Sequence, residues 1–350
     1  MPIRVGILTG GGDCPGLNAV IRAVVRRCVA RPDAECIGVL RGWRGMLDGL
    51  TCPLDLDAVS GILPRGGTIL RTSRANPFAT TGGPGMILRN MKKFRLDALV
   101  CVGGDDTLRV SARLFEEHHL PVVGIPKTID NDVHGTEYAF GFDSTVNIAM
   151  EAIDRIHTTA ESHDRVMIIE VMGRNAGWIA IHAGLAAGAD IILIPEKPCT
   201  LSEVCDAIIG RHDRGKDFSI IVVAEGARIS RTQDEEPIQY TQESETDEFG
   251  RVRLGGVGAA IAGEIEERTG FQTRVTVLGH IQRGGTPTAF DRVLGTRFGV
   301  KAADLALSGE FGKMVALQAN HIVAVPLSEV ARERRLVPDE FWEVAQTFFG

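Results

Sequence analysis

The fold class follows from two stretches, Gly103-Gly104-Asp105-Asp106-Thr107 and Pro126-Lys127-Thr128-Ile129-Asp130-Asn131-Asp132, which follow apolar runs at 98–102 and 121–125. Both runs are rich in β-branched residues, as is typical of strands buried in a parallel sheet. Open α/β sheets bind their ligands at the carboxyl ends of such strands. Paired glycines let phosphate oxygens approach the backbone, and carboxylate oxygens suit Mg²⁺. The two stretches therefore predict an α/β protein that carries out phosphoryl transfer.

Short apolar runs alternate with helical stretches along the whole chain, which is the pattern of a parallel sheet covered on both faces. Strands are predicted at 3–8, 36–40, 98–102, 121–125, 165–172, 191–195, 219–224, 274–279 and 322–326. Helices are predicted at 17–30, 108–118, 141–160, 177–187, 201–212, 255–268 and 288–308. The polar, acidic segment 230–250 is predicted to be an extended surface loop or hairpin, because charge runs seldom pack.

Composition limits the classes of function. The chain has 350 residues, of which 44% are hydrophobic and 24% charged, so it is long enough for two globular domains. A net charge of −7 argues against a nucleic-acid or anionic-membrane partner. Seven cysteines without a CxxC pair indicate reduced thiols rather than a disulfide framework. With no signal peptide before the strand at 3–8 and no apolar run of bilayer length, we expect a cytoplasmic protein.

A glycine-rich turn, Gly10-Gly11-Gly12-Asp13-Cys14-Pro15-Gly16, lies between the first predicted strand and a helix that starts near Leu17. Such a turn presents free N–H groups and the positive end of a helix dipole to an anion. Glycines serve ordinary tight turns equally well. By itself this turn leaves phosphate binding and a purely structural role open.

The carboxylate pairs Asp105/Asp106 and Asp130/Asp132 are more specific. In a loop after a strand, Asp130 can accept a proton from a sugar hydroxyl while Asp105 and Asp132 hold Mg²⁺. The alternative is capping or turn chemistry, which is common for Asp near Asn and Gly. Two such loops at the ends of adjacent strands favour a binding site over that alternative.

Arginines near predicted strand ends form a third group: Arg165, Arg174, Arg274 and Arg283. Their guanidinium groups match phosphate oxygens in pairs and stay charged. Glu225 ends the apolar run 220–224 and can accept hydrogen bonds from sugar hydroxyls. A single arginine is more often an ordinary surface residue, but several in one cleft favour a phosphate site.

Five motifs resemble those of the 6-phosphofructokinase family, appear in the family's order and span nearly the whole chain: 10–18, 103–107, 126–132, 172–177 and 279–285. The resemblance implies an α/β fold of two doubly wound domains with mainly parallel sheets and the active site in the cleft between them. It implies a donor-binding domain of 1–140 with 282–320 and a sugar-phosphate domain of 141–281 with 321–350. The implied reaction phosphorylates fructose 6-phosphate on its 1-hydroxyl, in glycolysis and gluconeogenesis.

The resemblance also implies roles for individual residues. Asp130 matches the catalytic base, with Thr128 and Arg174 beside the reacting groups, and Asp105 and Asp132 match the acidic residues linked to Mg²⁺. The donor residues would be Gly12, Arg74, Asp106 and Lys127. The sugar-phosphate contacts would be Thr128, Asp130, Asp132, Met172, Gly173, Arg174, Glu225, His280 and Arg283. Arg165 and Arg274 match arginines that reach in from a neighbouring subunit, which implies a homo-oligomer, a tetramer or a dimer, with shared active sites.

Two departures from the ATP-using pattern concern the phosphoryl donor. Members that use ATP usually carry glycine in place of Asp106 and commonly in place of Lys127, which leaves room for the α-phosphate and ribose. A carboxylate there fills that space and repels a phosphate. The Asp/Lys combination resembles pyrophosphate-dependent phosphofructokinases. We therefore expect pyrophosphate as the donor, although lysine alone also occurs in some ATP users.

Three alternatives remain beside this prediction. The first is an ATP-dependent 6-phosphofructokinase. The second is a catalytically silent sugar-phosphate-binding paralogue, which the retained Asp105, Asp130 and Asp132 disfavour. The third is an NAD or lipid kinase, which shares the Gly-Gly-Asp loop but would leave the His280 motif unexplained. Bacterial ATP enzymes also bind effectors at a basic interface; because Leu56 and His157 fall where arginines would be expected, we predict no strong effector control.

Overall fold

The computed structural model describes residues 2–246, 249–250, 252–330 and 333–349. The chain forms two compact units. Unit 1 comprises Met1–Ser144 with Arg283–Arg335, and unit 2 comprises Thr145–Gln282 with Leu336–Gly350. Residues 321–335 therefore belong to unit 1, whereas the sequence prediction placed them in the second domain. The reason is that the strand at 321–326 pairs antiparallel with the strand at 313–318, which the sequence prediction missed.

The strands, in chain order, are β1 (Ile3–Thr9), β2 (Ala34–Val39), β3 (Thr51–Leu54), β4 (Ala98–Gly103), β5 (Val122–Pro126), β6 (Val166–Val171), β7 (Ile191–Leu193), β8 (Cys199–Thr200), β9 (Ser219–Ala224), β10 (Arg228–Ser230), β11 (Ile238–Gln239), β12 (Thr241–Thr246), β13 (Val252–Leu254), β14 (Thr273–Val277), β15 (Lys313–Gln318) and β16 (His321–Pro326).

The α-helices are α1 (Leu17–Val29), α2 (Gly42–Asp48), α3 (Gly83–Phe94), α4 (Asp105–His118), α5 (Phe142–His163), α6 (Trp178–Ala186), α7 (Leu201–Asp213), α8 (Val257–Thr269), α9 (Ala289–Leu307), α10 (Leu327–Val330) and α11 (Asp339–Gln346). Short 3-10 helices lie at Pro77–Ala79 and Gly279–Arg283. Among the residues that the structure describes, no helix combines the length and the apolar character needed to cross a membrane.

The main sheet of unit 1 has the strand order β16-β15-β5-β4-β1-β2-β3 within the described residues. Its central strands pair in parallel, and only β3 and β16 at the two edges run antiparallel. Strands β1 and β4 are neighbours, yet the chain leaves β1 towards β2 on one side and leaves β4 towards β5 on the other. This reversal is a topological switch point, where open α/β sheets form a crevice at the carboxyl ends of the strands.

Within the described residues, the four-stranded sheet of unit 2 is parallel and has the strand order β14-β6-β9-β7. Its strands are continuous apolar runs because helices cover them, and Ile168, Ile221 and Val223 are fully buried with Val257 of α8. The predicted loop or hairpin at 230–250 includes β12, which pairs antiparallel with β13 just beyond it. Two of its acidic residues, Asp247 and Glu248, lie outside the described residues.

The sequence prediction missed α2, α3 and α10–α11, together with β3, β8, β10, β13 and β15. Helices α2 and α3 begin with glycines, which read as turn residues from sequence alone. Helix α4 begins at Asp105, three residues before the prediction, with Gly104 as its N-cap. Asp105 and Asp106 therefore occupy the first helical turn, where carboxylates interact favourably with the helix dipole.

Helices α5 and α9 cap each other where the chain crosses between the units. The fully buried Asp291 carboxylate accepts hydrogen bonds from the Ser144 amide (2.8 Å) and the Ser144 hydroxyl (2.6 Å). The Thr288 hydroxyl donates to Asp143 (2.5 Å) and accepts from the Asp291 amide (3.3 Å). Burial raises the pKa of Asp291 to about 6, although its hydrogen bonds from Ser144 oppose the shift.

We expect Asp291→Asn to change the pH dependence of unfolding. The folded-state pKa of about 6 lies above the ordinary value of 3.8, so the protonated carboxyl stabilises the fold at low pH. This contribution is complete below pH ~4 and is lost as pH rises through ~6, which amounts to roughly 3 kcal/mol. Urea unfolding of both proteins from pH 4 to 7 should show the wild type losing stability relative to the variant. Parallel curves for the two proteins would contradict this assignment.

Candidate functional site

Three loops leave neighbouring strands at the switch point of unit 1. Residues 10–12 follow β1, 104–106 follow β4, and 127–132 follow β5. Seven of the residues predicted from the sequence lie in these loops or in the first turn of α4: Gly12, Asp105, Asp106, Lys127, Thr128, Asp130 and Asp132. Arg74, the remaining predicted donor residue, is exposed and follows Ser73, whose carbonyl accepts the Gly11 amide (3.0 Å).

The glycine loop packs directly against two cationic side chains. The Lys127 Nζ donates to the Gly12 carbonyl (2.5 Å), and the Arg283 Nη1 donates to the Asp13 carbonyl (3.1 Å). A Cβ at Gly12 would clash with the Arg283 guanidinium. Gly11 has φ +78°, a conformation that glycine adopts without strain. Gly11 therefore adopts the left-handed conformation without strain, and Gly12 leaves room for the Arg283 guanidinium, which a side chain there would displace.

Lys127 is only 4% exposed. Burial lowers the pKa of its ammonium group, with a smaller contribution from the Arg283 charge, while Asp13 and Asp130 act in the opposite direction. A cation held in such a weakly screened position attracts an anion strongly. The resemblance had assigned Arg283 to the 6-phosphate, and the structure places its guanidinium on the glycine loop.

The loop after β5 separates its two carboxylates. The Thr128 hydroxyl accepts the Asp130 amide (3.0 Å) and donates to Asp132 Oδ1 (3.1 Å). Asn131 between them has φ +50°, and its side chain accepts from the Ala139 amide (3.0 Å) and donates to the Glu137 carbonyl (3.2 Å). This left-handed residue gives Asp130 and Asp132 different surroundings.

Asp105 and Asp132 form an acidic pair. Burial raises the pKa of Asp132, and the negative charge of Asp105 raises it further. Asp105 is paired with Arg109 Nε (2.8 Å) and more loosely with Arg334 Nη2 (3.5 Å). Within the described residues, no three His, Cys, Asp or Glu side chains are grouped to hold a metal. Two carboxylates nevertheless fit Mg²⁺, which usually keeps several waters and binds phosphate oxygens.

In unit 2, predicted residues lie at the carboxyl ends of β6, β9 and β14, which are neighbours in the sheet: Met172, Gly173, Arg174, Glu225 and His280. The Met172 amide donates to the fully buried Gln282 Oε1 (2.8 Å), and Gly173, with φ +140°, accepts the Gly226 amide at its carbonyl (3.1 Å). The Arg174 guanidinium donates to the Val252 carbonyl on β13. His280 is exposed.

Arg165 and Arg274 lie at the other edge of that sheet. Arg165 directly precedes β6, and Arg274 is the second residue of β14, so both are at the amino ends of their strands. A strand of six residues such as β6 spans about 20 Å. The fold of one chain therefore does not bring these two arginines to the residues at the carboxyl edge of the sheet.

Comparison with known proteins fits this arrangement. The phosphofructokinase family model matches residues 4–306, which is most of the chain. The chain belongs to the phosphofructokinase family. A pyrophosphate–fructose 6-phosphate 1-phosphotransferase of Streptomyces coelicolor is 53% identical and covers 99% of this chain and 100% of its own. An ATP-dependent 6-phosphofructokinase of Mycobacterium bovis is 50% identical with the same coverage.

The fold agrees with that of a solved phosphofructokinase. The crystal structure of Pichia pastoris phosphofructokinase in the T-state superposes with a TM-score of 0.81 at 32% sequence identity. The match covers 99% of this chain and 39% of that chain, so this phosphofructokinase-family chain spans about two-fifths of the yeast one. The predicted α/β, phosphofructokinase-like fold is thus confirmed.

Sequence reasoning missed two residues that contact the loop after β5 of this phosphofructokinase-family chain. Arg334 forms an antiparallel bridge with Val133, and the Arg335 amide donates to the Asp132 carbonyl (2.9 Å). The Arg335 guanidinium donates to the Asn131 carbonyl (3.3 Å), across 204 residues of sequence. No local pattern signals a contact over that separation.

We expect the conformation of Asn131 to control both stability and activity. Asn131→Ala removes two hydrogen bonds and places a Cβ-bearing residue without local support in the left-handed region, which should cost about 3 kcal/mol. Asn131→Gly loses the same hydrogen bonds but tolerates the conformation, so it should cost about 1 kcal/mol less. Both should lower kcat because Asp130 and Asp132 lose their fixed positions. Chemical denaturation and steady-state kinetics test this, and equal stability of the two variants would argue against the backbone contribution.

Proposed function

We propose that this chain transfers a phosphoryl group from pyrophosphate to the 1-hydroxyl of fructose 6-phosphate, giving fructose 1,6-bisphosphate and phosphate, reversibly and with Mg²⁺. The observation that carries the proposal is the convergence at one switch point of a cation-lined glycine loop, an acidic pair and Asp130. Family membership supports phosphofructokinase activity, and the relatives named for fructose 6-phosphate suggest the sugar substrate. We further propose a cytoplasmic location, which the seven free cysteines support.

The chemistry follows from these positions. Asp130 takes the proton of the 1-hydroxyl, the sugar oxygen forms a bond to one phosphorus of pyrophosphate, and the bridging P–O bond breaks towards the leaving phosphate. Lys127 and Arg283 hold the phosphates and offset their charge. Asp105 and Asp132 would hold Mg²⁺, which neutralises charge on the phosphate oxygens when bound. Arg174 is proposed to contact the transferred phosphate.

The remaining sugar-phosphate contacts are assigned to unit 2. Met172, Gly173, Glu225 and His280 would bind the sugar and its 6-phosphate, and Arg165 and Arg274 would serve the site of another copy in a homo-oligomer. The position of these two arginines at the amino edge of the sheet supports this sharing, since one chain cannot use them beside the carboxyl edge.

The choice of pyrophosphate rests on Asp106. It lies in the first turn of α4, where a helix N-terminus would otherwise attract the inner phosphate of a nucleotide. A carboxylate at this place repels that phosphate, while Lys127 beside Gly12 serves a compact donor. The second candidate is ATP, which the similarity to ATP-dependent relatives at 50% identity favours.

We expect Asp130→Asn and Asp130→Ser to lower kcat by about 10² to 10⁴-fold, because each removes the general base. The KM for fructose 6-phosphate should change little, since the other sugar contacts remain. Steady-state rates with both substrates varied separate the two parameters. A near-normal kcat in either variant would exclude Asp130 as the base.

We expect the wild type to use pyrophosphate with Mg²⁺ and to use ATP poorly. Asp106→Asn removes the charge but keeps the size, and should raise the ratio of kcat/KM for ATP to that for pyrophosphate by about tenfold. Asp106→Gly removes charge and bulk and should raise the ratio further. Because Lys127 borders the same phosphate position, changing both residues should give effects that do not add.

Initial rates with pyrophosphate and with ATP, measured side by side, determine which donor the enzyme uses. Wild-type turnover with ATP equal to or above that with pyrophosphate would refute the donor assignment and leave the phosphofructokinase reaction standing. Loss of fructose 6-phosphate phosphorylation with both donors would refute the proposed function itself.

A further inference from the structure

Arg334 is the cation that the end of unit 1 brings to the acidic pair. Its backbone bridges Val133, and the next residue, Arg335, is hydrogen-bonded through its amide to the Asp132 carbonyl (2.9 Å). A second bond joins the Arg335 guanidinium to the Asn131 carbonyl (3.3 Å). The segment is therefore fixed by its backbone to the loop that carries Asp132, and the Arg334 side chain starts from a defined position.

The guanidinium of Arg334 lies beside the acidic pair. Its Nη2 is 3.5 Å from Asp105 Oδ2, and its backbone is bridged to Val133, the residue that follows Asp132. The Asp105 side chain is 10% exposed, so water screens this interaction only in part. Two neighbouring carboxylates repel each other unless a cation lies beside them.

The contact with Asp105 is loose, which distinguishes Arg334 from Arg109. Arg109 is on the same helix as Asp105, makes a short 2.8 Å contact with the other carboxylate oxygen, and has a side chain that is 44% exposed. At 3.5 Å, Arg334 makes no close hydrogen bond to Asp105. Among the described residues, the Arg334 Nε is also buried without a hydrogen-bond partner. Its guanidinium is thus held near the pair by charge rather than by well-formed hydrogen bonds.

We propose that Arg334 is an internal counter-cation for Asp105 and Asp132, and that its guanidinium competes with a divalent metal for these carboxylates. This inference rests on the metal-binding role given to the two residues in the proposed function. In the metal-free protein Arg334 balances the pair and preserves its geometry. When a metal binds, the guanidinium gives up Asp105, which its long contact makes easy. Arg334 is therefore a positioning residue that sets metal affinity.

Direct binding of Mn²⁺ alone tests the competition without reference to turnover. Free Mn²⁺ is measured by electron paramagnetic resonance at fixed ionic strength for the wild type, Arg334→Met, Arg334→Gln and Arg334→Lys. The two neutral variants should bind Mn²⁺ about three- to tenfold more tightly, because a repelling charge is removed. Arg334→Lys keeps the charge and should stay close to the wild type. The matched control is Arg113→Met on α4, whose arginine pairs with Glu117 and should have no effect.

Asp105→Asn separates failure of this inference from failure of the metal site. If the wild type binds Mn²⁺ and Asp105→Asn abolishes binding, the carboxylate pair is the metal site. Unchanged or weaker binding by both neutral Arg334 variants would then overturn the competition alone. If the wild type binds no Mn²⁺ at millimolar concentration, or Asp105→Asn binds it normally, both the metal role and the competition are overturned.

Discussion

Parallel hydrogen bonding between β1, β4 and β5 places the carboxyl ends of these strands side by side, so that three loops leave the sheet of unit 1 at the same edge. The glycine loop, the first turn of α4 and the loop with Asp130 all start from adjacent strand ends because of this pairing. Because the chain leaves β1 towards one side of the sheet and β4 towards the other, no crossover helix within the described residues covers the edge between them. The candidate site of unit 1 depends on this constraint, since the glycine loop, Asp105 and Asp130 each lie on a different one of the three loops.

Charged side chains of the candidate site have nearby partners that balance their charge or bond to them. Lys127 and Arg283 bond to backbone carbonyls of the glycine loop, so their charges remain available to an incoming anion. Asp105 lies between Arg109 and Arg334, and its partner Asp132 is bonded to the Thr128 hydroxyl. Unpaired charges of this kind would be costly in a poorly hydrated site. The balance makes a highly charged site compatible with a stable fold, and in the proposed function phosphate and metal replace the weak internal partners.

Family membership does not by itself determine the phosphoryl donor, despite the high sequence identity between this chain and its relatives. Relatives named for pyrophosphate and for ATP are 53% and 50% identical to this chain over nearly its full length. The fold and the phosphoryl-transfer groups tolerate either donor, because both present two linked phosphates to the same loops. Discrimination depends on what lies where the rest of a nucleotide would go. In the proposed donor site of this chain, that place is assigned to the Asp106 carboxylate in the first turn of α4.

The sequence by itself determined the elements and the groups whose cause is local. Apolar runs gave most strands of both sheets, and the glycine and carboxylate motifs gave the family and the residues at the switch point. Only the tertiary structure decided which distant segments meet them. Arg334 and Arg335 contact the loop at 131–133, residues 321–335 join unit 1 through strand pairing, and Arg165 and Arg274 lie at the far edge of their sheet. These facts depend on pairing over long sequence separations, for which neither periodicity nor motif spacing carries a signal.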